Sequence, residues 1–310
     1  VQCMRVSDSG PQMVLVSSEA PQPDPAPGEV LIRVRAAGVT PTELSWYPTT
    51  HTKLGTPRTG AIPGHEFSGV VVAVGGNLDP AITGQEVYGM NDWFADGATA
   101  EYCLTQPQWI APKPSTISHE LASTVPIGAL TAWQGLFDRC NLRPGERVLI
   151  HGGSGAVGLF AVQLAHHHSA HVIATASGQK LDFVRRLGAE QVIDYRTARF
   201  EDDLEPVDVI FDAVGGETLD RSWNLLKPAG RIVTIAAQSE STTDQRVKDA
   251  FFIVEPNATQ LQRIAQLIDQ GDLRAFMSIS VPLSDSAKAY LRALPGASDI
   301  GKTVISISNS

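Results

Sequence analysis

Cysteine is scarce: Cys3, Cys103 and Cys140 are the only three in 310 residues. Three scattered thiols exclude a disulfide framework and suit a reducing compartment. No apolar run approaches the length that crosses a bilayer. The start, Val1-Gln-Cys-Met-Arg, lacks a charged leader followed by an apolar core, so no secretory signal is expected. Positive charge is also short, with 24 Lys and Arg against 33 Asp and Glu and a net charge of −9. That balance argues against nucleic acid and against an anionic membrane surface as partners. A cytoplasmic protein is the expectation. What is present is ordinary for a globular enzyme: 43% hydrophobic and 18% charged residues, enough to bury a core and to exclude disorder. The length allows one large or two medium domains.

The most informative stretch is Arg147-Val-Leu-Ile-His-Gly-Gly-Ser-Gly-Ala-Val-Gly158. Val148, Leu149 and Ile150 suit a buried parallel strand, and Leu159 to Leu164 read as the first turns of a helix. Gly152, Gly155 and Gly158 lie between them at three-residue spacing. Strand, glycine turn and helix together make a dinucleotide site: a tight exit, a close backbone approach to pyrophosphate, and close helix–strand packing. Further apolar runs at His171-Val-Ile-Ala-Thr, Val207–Val214 and Arg231–Ala236 fall where later strands of such a fold belong.

The front of the chain reads differently. Gln12–Ser17, Glu29–Arg35, Phe67–Gly75 and Gln85–Met90 are strand-like, with a proline-rich connection at Ala20–Gly28. This predicts a small β-rich, barrel-like domain over the first 115 or so residues. Ser118 to Leu136 reads as helix. From Val148 to about Ala237 strands alternate with helices, among them Gln179–Gly188. Helices over Thr259–Gly271 and Ala287–Leu294, then a strand from Lys302 to Ile307, close the chain.

Together these segments resemble the medium-chain dehydrogenase/reductases, and within them the zinc-free quinone oxidoreductases related to zeta-crystallin. The resemblance is carried by Ala37-Gly-Val-Thr-Pro-Thr-Glu43, Pro63-Gly-His-Glu-Phe-Ser-Gly-Val-Val71, Gly128-Ala-Leu-Thr-Ala-Trp133, the glycine stretch, Leu187–Tyr195, Phe252-Ile-Val-Glu-Pro256 and Gly301-Lys-Thr-Val-Ile305. These run end to end in the family's order. The resemblance implies an α/β fold in which a Rossmann doubly wound parallel sheet is inserted into a β-rich GroES-like catalytic domain. The expected division is 1–118 with 257–310 for the catalytic domain and 119–256 for the nucleotide domain. It also implies a homodimer joined through the last strands of two Rossmann sheets.

Zinc is not expected. Where alcohol dehydrogenases of this superfamily place their first ligand cysteine, this chain has Thr40, and at a later one Ile127. The four-cysteine structural loop is missing, since only Cys103 lies in that region. His65 and Glu66 then read as a structural turn into the strand at Phe67, and His166-His-His168 with His171 as a solvated helix end.

The second nucleotide-binding strand ends Ala174-Thr-Ala-Ser177, without the acid that holds a 2′-hydroxyl. Thr175, Ser177 and Lys180 offer hydroxyls and a cation for a 2′-phosphate, so NADP(H) is the expected cofactor. Gly152, Ser154, Gly155, Ala156, Val157 and Gly158 are its expected pyrophosphate cradle. By resemblance, Tyr195 lies at the phosphate end and Thr131 beside the nicotinamide. Val214, Ala236 and Ala237 line the ribose path, and a strand Phe251–Val254, with Phe252 and Val254, faces the carboxamide. Thr40 stands where the family often has Asn. Thr40 and Tyr47 are the candidate proton donors, and Trp46, Trp93 and Phe94 candidates for the substrate wall.

The expected activity is NADPH-dependent transfer of hydride to a quinone or to the C=C bond of an enone or alkenal, with no metal. The competing readings are a low-turnover NADPH-binding sensor or structural protein, and a zinc alcohol dehydrogenase.

Overall fold

The computed structural model describes residues 1–7, 14–202 and 204–307. Two compact units divide it: Val1–Ile127 with Pro256–Ser310, and Gly128–Glu255.

In the first unit, β1 (Gln2–Ser7) and β2 (Val14–Glu19) form an antiparallel pair. Gln12 and Met13, expected at the head of β2, lie outside the described residues, and β1 was not foreseen. The main strands are β3 (Val30–Gly38), β4 (Glu66–Val74), β5 (Glu86–Met90), β6 (Tyr102–Thr105) and β7 (Ile110–Pro112). A single turn, α1 (Tyr47–Thr50), lies in the loop after β3. Val30, Ile32 and Val34 of β3 are fully buried with Phe67 and Val71 of β4, which gives the sheet its apolar inner layer.

The helix expected from Ser118 to Leu136 is broken. α2 (His119–Ala122) is one turn capped by the Ser118 hydroxyl, and α3 (Pro126–Trp133) starts afresh. Between them the Ser123 and Thr124 hydroxyls turn back to the carbonyls of Glu120 and Leu121, and Pro126 has no amide to continue the ladder. After Trp133 the turn widens, so that Cys140 N–H reaches the carbonyl of Gly135. α2 belongs to the first unit because His119 Nδ1 bonds the Ser68 hydroxyl at 2.7 Å and Ile127 N–H bonds Glu66. The first unit therefore runs to Ile127 rather than to 118.

The second unit holds β8 (Arg147–His151), α4 (Gly158–His167), β9 (His171–Ala176), α5 (Leu181–Arg186), β10 (Gln191–Asp194), β11 (Val207–Asp212), α6 (Glu217–Ser222), β12 (Leu226–Thr234) and α7 (Gln245–Ala250). The strands form one parallel sheet in the order β10-β9-β8-β11-β12, so connectivity reverses at β8/β11. β10 was not foreseen. The strand expected over Phe251–Val254 is reduced to a single bridge, Thr234 to Phe251. Phe252 and Val254 beyond it are buried, and Gln134 takes both backbone groups of Glu255 with its side-chain amide.

The tail rejoins the first unit through α8 (Ala258–Gln270), β13 (Met277–Pro282), α9 (Ser286–Tyr290) and β14 (Lys302–Ser306). α8 buries Leu261, Ile264 and Ile268, with Asn257 as its cap and Gly271 as its left-handed stop. β14 pairs antiparallel with β3, completing the order β13-β14-β3-β4-β5-β7, with β6 also on β3. Lys302 and Glu66, both buried, join β14 to β4 as an ion pair.

Candidate active site

Parallel strands bring their carboxyl ends to one edge, and in the second unit that edge collects most of the expected cofactor residues. Gly152 follows β8, Ser177 follows β9, Tyr195 follows β10, Val214 follows β11 and Ala236 follows β12. Gly152 has φ +76°, the left-handed region that only glycine enters without strain. A Cβ on Gly158 would collide with the Gly152 carbonyl and lie 2.9 Å from Gly153 Cα, so the helix start sits directly on the turn. Ser154 is half-buried, while Gly155 and Ala156 are exposed. The helix start at Val157 carries no side-chain cap. Gly155, Leu159 and Phe160 spend their N–H groups on the carbonyls of Gly152, Gly155 and Val157. What this uncapped, glycine-lined start offers an anion such as pyrophosphate is therefore its positive pole and the N–H groups of Ser154, Ala156, Val157 and Gly158.

Two buried side chains that the sequence reading passed over hold this edge together. His151 lies at the end of β8 with no exposure, its Nδ1 3.2 Å from Thr175 Oγ1 and its Nε2 2.9 Å from Ser222 Oγ. Gly152 N–H donates to the same Thr175 oxygen, and Ser222 donates onward to the Thr218 carbonyl at 2.6 Å. One proton order satisfies every partner: Thr175 donates to Nδ1, and Nε2–H donates to Ser222. Burial holds His151 neutral, with its pKa lowered to about 3. Thr175 was expected to face a 2′-phosphate. Its hydroxyl instead braces the glycine turn, since it bonds both the Gly152 N–H and the His151 ring.

Asp212, the last residue of β11, is the second. It accepts from Val214 N–H, Gly215 N–H and the Thr234 hydroxyl, and Thr234 in turn accepts from Ala236 N–H. One carboxylate therefore shapes both loops that carry Val214 and Ala236. Burial nonetheless raises its pKa.

At the expected 2′-phosphate end, Ser177 is buried, Lys180 half-buried and Tyr195 exposed, with Arg196 lying 6.0 Å from the Tyr195 ring. An acid not weighed from sequence stands there too: a Cβ on Gly178 would lie 2.8 Å from Asp194 Oδ2. Thr131 is buried within α3, and Ala237 is exposed. Phe252 uses its N–H on the Thr234 carbonyl at 3.3 Å, and its ring packs under Arg139.

The first unit holds a buried polar network of its own. Glu43 has no exposure. Its Oε1 accepts from Gly64 N–H and from the Tyr290 hydroxyl, both at 2.6 Å, while its Oε2 faces His65 Nδ1 at 3.1 Å. His65 Nε2 faces the Ala95 carbonyl at 3.2 Å, and Thr99 meets the Tyr290 hydroxyl at 3.2 Å. Burial and the Glu43 charge push the Tyr290 phenol well above its ordinary pKa, so it stays a donor. His65 was expected to be only a turn residue. It is a two-ended hydrogen-bonding post; Glu43 closed the Ala37–Glu43 stretch of the resemblance without any sign of this role, and Tyr290 lay in no motif.

Of the candidate substrate residues, the two tryptophans are joined to this post, one directly and one through the other. Trp93 tilts against the His65 ring at 5.2 Å, and Trp46 meets Trp93 edge to face at 5.0 Å. Both indoles are half-buried. Phe94 carries Lys53 at 5.5 Å from its ring. Tyr47, 53% exposed, stacks on His51 instead, at 4.4 Å. Thr40 is half-buried at the turn leading to Glu43.

Among the described residues, no three His, Cys, Asp or Glu side chains are grouped to hold a metal ion. The histidine-rich end of α4 is drawn apart, with His171 paired to Glu190 and His168 edging the Phe137 ring. No helix among the described residues is long and apolar enough to cross a membrane.

Two family models match: the alcohol dehydrogenase GroES-like domain over residues 26–115, and the zinc-binding dehydrogenase family over 187–305. A probable zinc-binding mitochondrial oxidoreductase of Arthroderma benhamiae is 32% identical over 291 residues, covering 86% of each chain. The 2-methylene-furan-3-one reductase of Solanum lycopersicum is 30% identical, over 94% of this chain and 74% of that protein. The solved structure of the quinone oxidoreductase from Coxiella burnetii superposes with a TM-score of 0.86 at 29% identity, over 99% of both chains.

Proposed function

The chain belongs to the medium-chain dehydrogenase/reductase superfamily, and from that premise we propose that it is an NADPH-dependent, zinc-independent reductase of quinones or of the C=C bond of α,β-unsaturated carbonyls. The observation that carries this reading is the open, glycine-lined start of α4 at the carboxyl edge of a parallel sheet. Relatives that reduce an enone and a quinone support the reaction class.

When bound, the reduced nicotinamide supplies the hydride. The chain supplies position. Gly152, Ser154, Gly155, Ala156, Val157 and Gly158 cradle the pyrophosphate. With the Gly152 and Gly155 N–H groups held by Thr175 Oγ1 and the Gly152 carbonyl, the donors in this reading are the N–H groups of Ser154, Ala156, Val157 and Gly158. Ser177, Lys180 and Tyr195 receive the 2′-phosphate, with Lys180 supplying the cation. Asp194 stands close to that phosphate, so Lys180 must outweigh it for NADPH to be preferred over NADH. Thr131, Val214, Ala236, Ala237, Phe252 and Val254 line the path to the nicotinamide. Thr40 and Tyr47 are the proton donors this reading assigns, and a conjugated acceptor spreads its charge widely enough for one donor to serve.

The donor set supports the absence of zinc from the mechanism. Catalytic zinc takes three protein ligands. Here Thr40 and Ile127 stand at two ligand positions, and both nitrogens of His65 are committed, to Glu43 and to the Ala95 carbonyl. A homodimer completes the reading, and free buried cysteines accord with a reducing compartment such as the cytoplasm.

The test is consumption of NADPH and of NADH against benzoquinone, phenanthrenequinone and a short 2-alkenal. Turnover well above background with NADPH and less with NADH is the expected result. NADPH binding without turnover would move the assignment to a sensor or structural protein. Stoichiometric zinc in the active protein would overturn the metal-free mechanism.

A further inference from the structure

His65 touches both segments that carry the half-buried indoles. Its Nδ1 is joined to Glu43, three residues before Trp46 in the same tight turn, whose Trp46 N–H donates to the Glu43 carbonyl at 3.2 Å. Its Nε2 is joined to the carbonyl of Ala95, two residues beyond Trp93. The ring between these bonds lies against Trp93, which meets Trp46 edge to face. Glu43 is itself fixed by Gly64 and by Tyr290, so the post cannot swing without breaking bonds inside a dry core.

We propose that His65 is a positioning residue that sets the spacing of Trp46 and Trp93, and that this indole pair selects planar polycyclic acceptors over short aliphatic enones. The residue at a zinc-ligand position of the superfamily thus serves acceptor recognition through an aromatic surface. The physical reason is that both indoles are half-buried rather than sealed in the core, and a fused-ring quinone stacked on an indole face gains what a short alkenal cannot. Indoles free to drift apart would lose that fit. The substrate half of the proposal rests on the reductase reading above; the positioning half does not.

The experiment uses the whole protein and two readouts that need no turnover. The first is the exciton couplet of the indole pair in circular dichroism, identified by its loss in Trp46→Phe and Trp93→Phe. The second is quenching of tryptophan fluorescence by phenanthrenequinone, which reports its Kd. His65→Asn is expected to abolish the couplet and raise that Kd about tenfold, with NADPH affinity unchanged. In turnover, the ratio of kcat/KM for phenanthrenequinone to that for the alkenal should fall by a similar factor. A folded His65→Asn protein that keeps couplet and Kd overturns the proposal. Should that variant not fold, Trp93→Leu decides: an unchanged quinone Kd, or equal losses with both acceptors, overturns it. Wild-type protein that oxidises NADPH with neither acceptor sinks the reductase reading alone, since the couplet and Kd still report on His65.

Discussion

Single residues decide whether the nucleotide edge can form. Gly158→Ala places a methyl group against the backbone of Gly152 and Gly153, atoms that cannot step aside as a side-chain tip would. The expected outcome is loss of measurable NADPH binding and a fall in stability of about 1–3 kcal/mol, read by fluorescence titration and urea unfolding. Gly155→Ala is the control for the stability readout alone, because its Cβ would meet only the Gly152 oxygen, at 3.2 Å, whereas its place in the pyrophosphate cradle means that NADPH binding should weaken in it too. His151 makes a second prediction. Its folded pKa of about 3 lies below the ordinary 6.5, so between these values the unfolded chain holds one more proton than the folded one. Its contribution to stability is therefore complete above 6.5 and declines by about 1.4 kcal/mol per pH unit as the pH falls toward 3. Glu66 and Asp212, raised by burial, act in the opposite sense, their contributions being lost as pH rises through the folded values. The His151 term is thus read as a difference: His151→Gln should show a shallower fall in urea midpoint below pH 6.5 than the wild type, and parallel curves would refute it. The glycines were legible in sequence because only glycine suits that turn. His151, Asp212 and Glu43 were not, since their partners Ser222, Thr234 and Tyr290 lie 71, 22 and 247 residues away.

At the scale of elements, legibility followed local pattern. β8 and α8 were foreseen because a buried apolar run and a one-sided stripe announce themselves without help from the rest of the chain. β10 escaped because its four residues are all half-buried on the sheet's edge and lack alternation. The Phe251–Val254 strand was expected by resemblance alone, and only Phe251 pairs. What no pattern could show is the closure of β14 on β3, which rests partly on the buried Lys302–Glu66 pair. Removing one partner of such a pair strands the other charge in a dry core. Lys302→Met is expected to cost about 3–5 kcal/mol in urea unfolding, and Lys302→Met with Glu66→Leu to recover most of it. Glu66 is already shifted upward by burial and would shift further without Lys302, so it would take up a proton readily. The single variant's defect should therefore be smaller at low pH than at high pH, because a raised carboxyl contributes stability that is lost as pH rises through its folded value. A defect independent of pH would mean that lost packing, not the stranded charge, sets the cost.

At the scale of the whole molecule the edge of the second unit's sheet decides association. β12 is the last strand in the order of that sheet, met beyond it among the described residues by the Thr234–Phe251 bridge, and an edge so sparsely paired invites another chain. Beyond it, Phe252 to Glu255 alternate buried and exposed, as the residues of a strand do, with Ile253 half exposed, yet only Phe251 makes a bridge. A second copy related by a two-fold axis would meet the same segment running antiparallel, which suits an isologous, self-complementary contact. Composition carries no sign of such a contact; the resemblance alone implied it, and within one chain the segment has the Phe251 bridge. The homodimer proposed above should therefore sediment as a dimer at micromolar concentration. Ile253→Lys, which puts like charges opposite each other across the axis and blunts the edge, should weaken association at least about tenfold. Each protomer carries a net charge of −9, so added salt should tighten the wild-type dimer by screening that repulsion. The variant should recover part of its loss in salt as well, because its new lysines repel across the axis. Wild-type protein that stays monomeric at every salt concentration would leave this edge for a different partner. A dimer indifferent to Ile253→Lys would place the interface elsewhere on the chain.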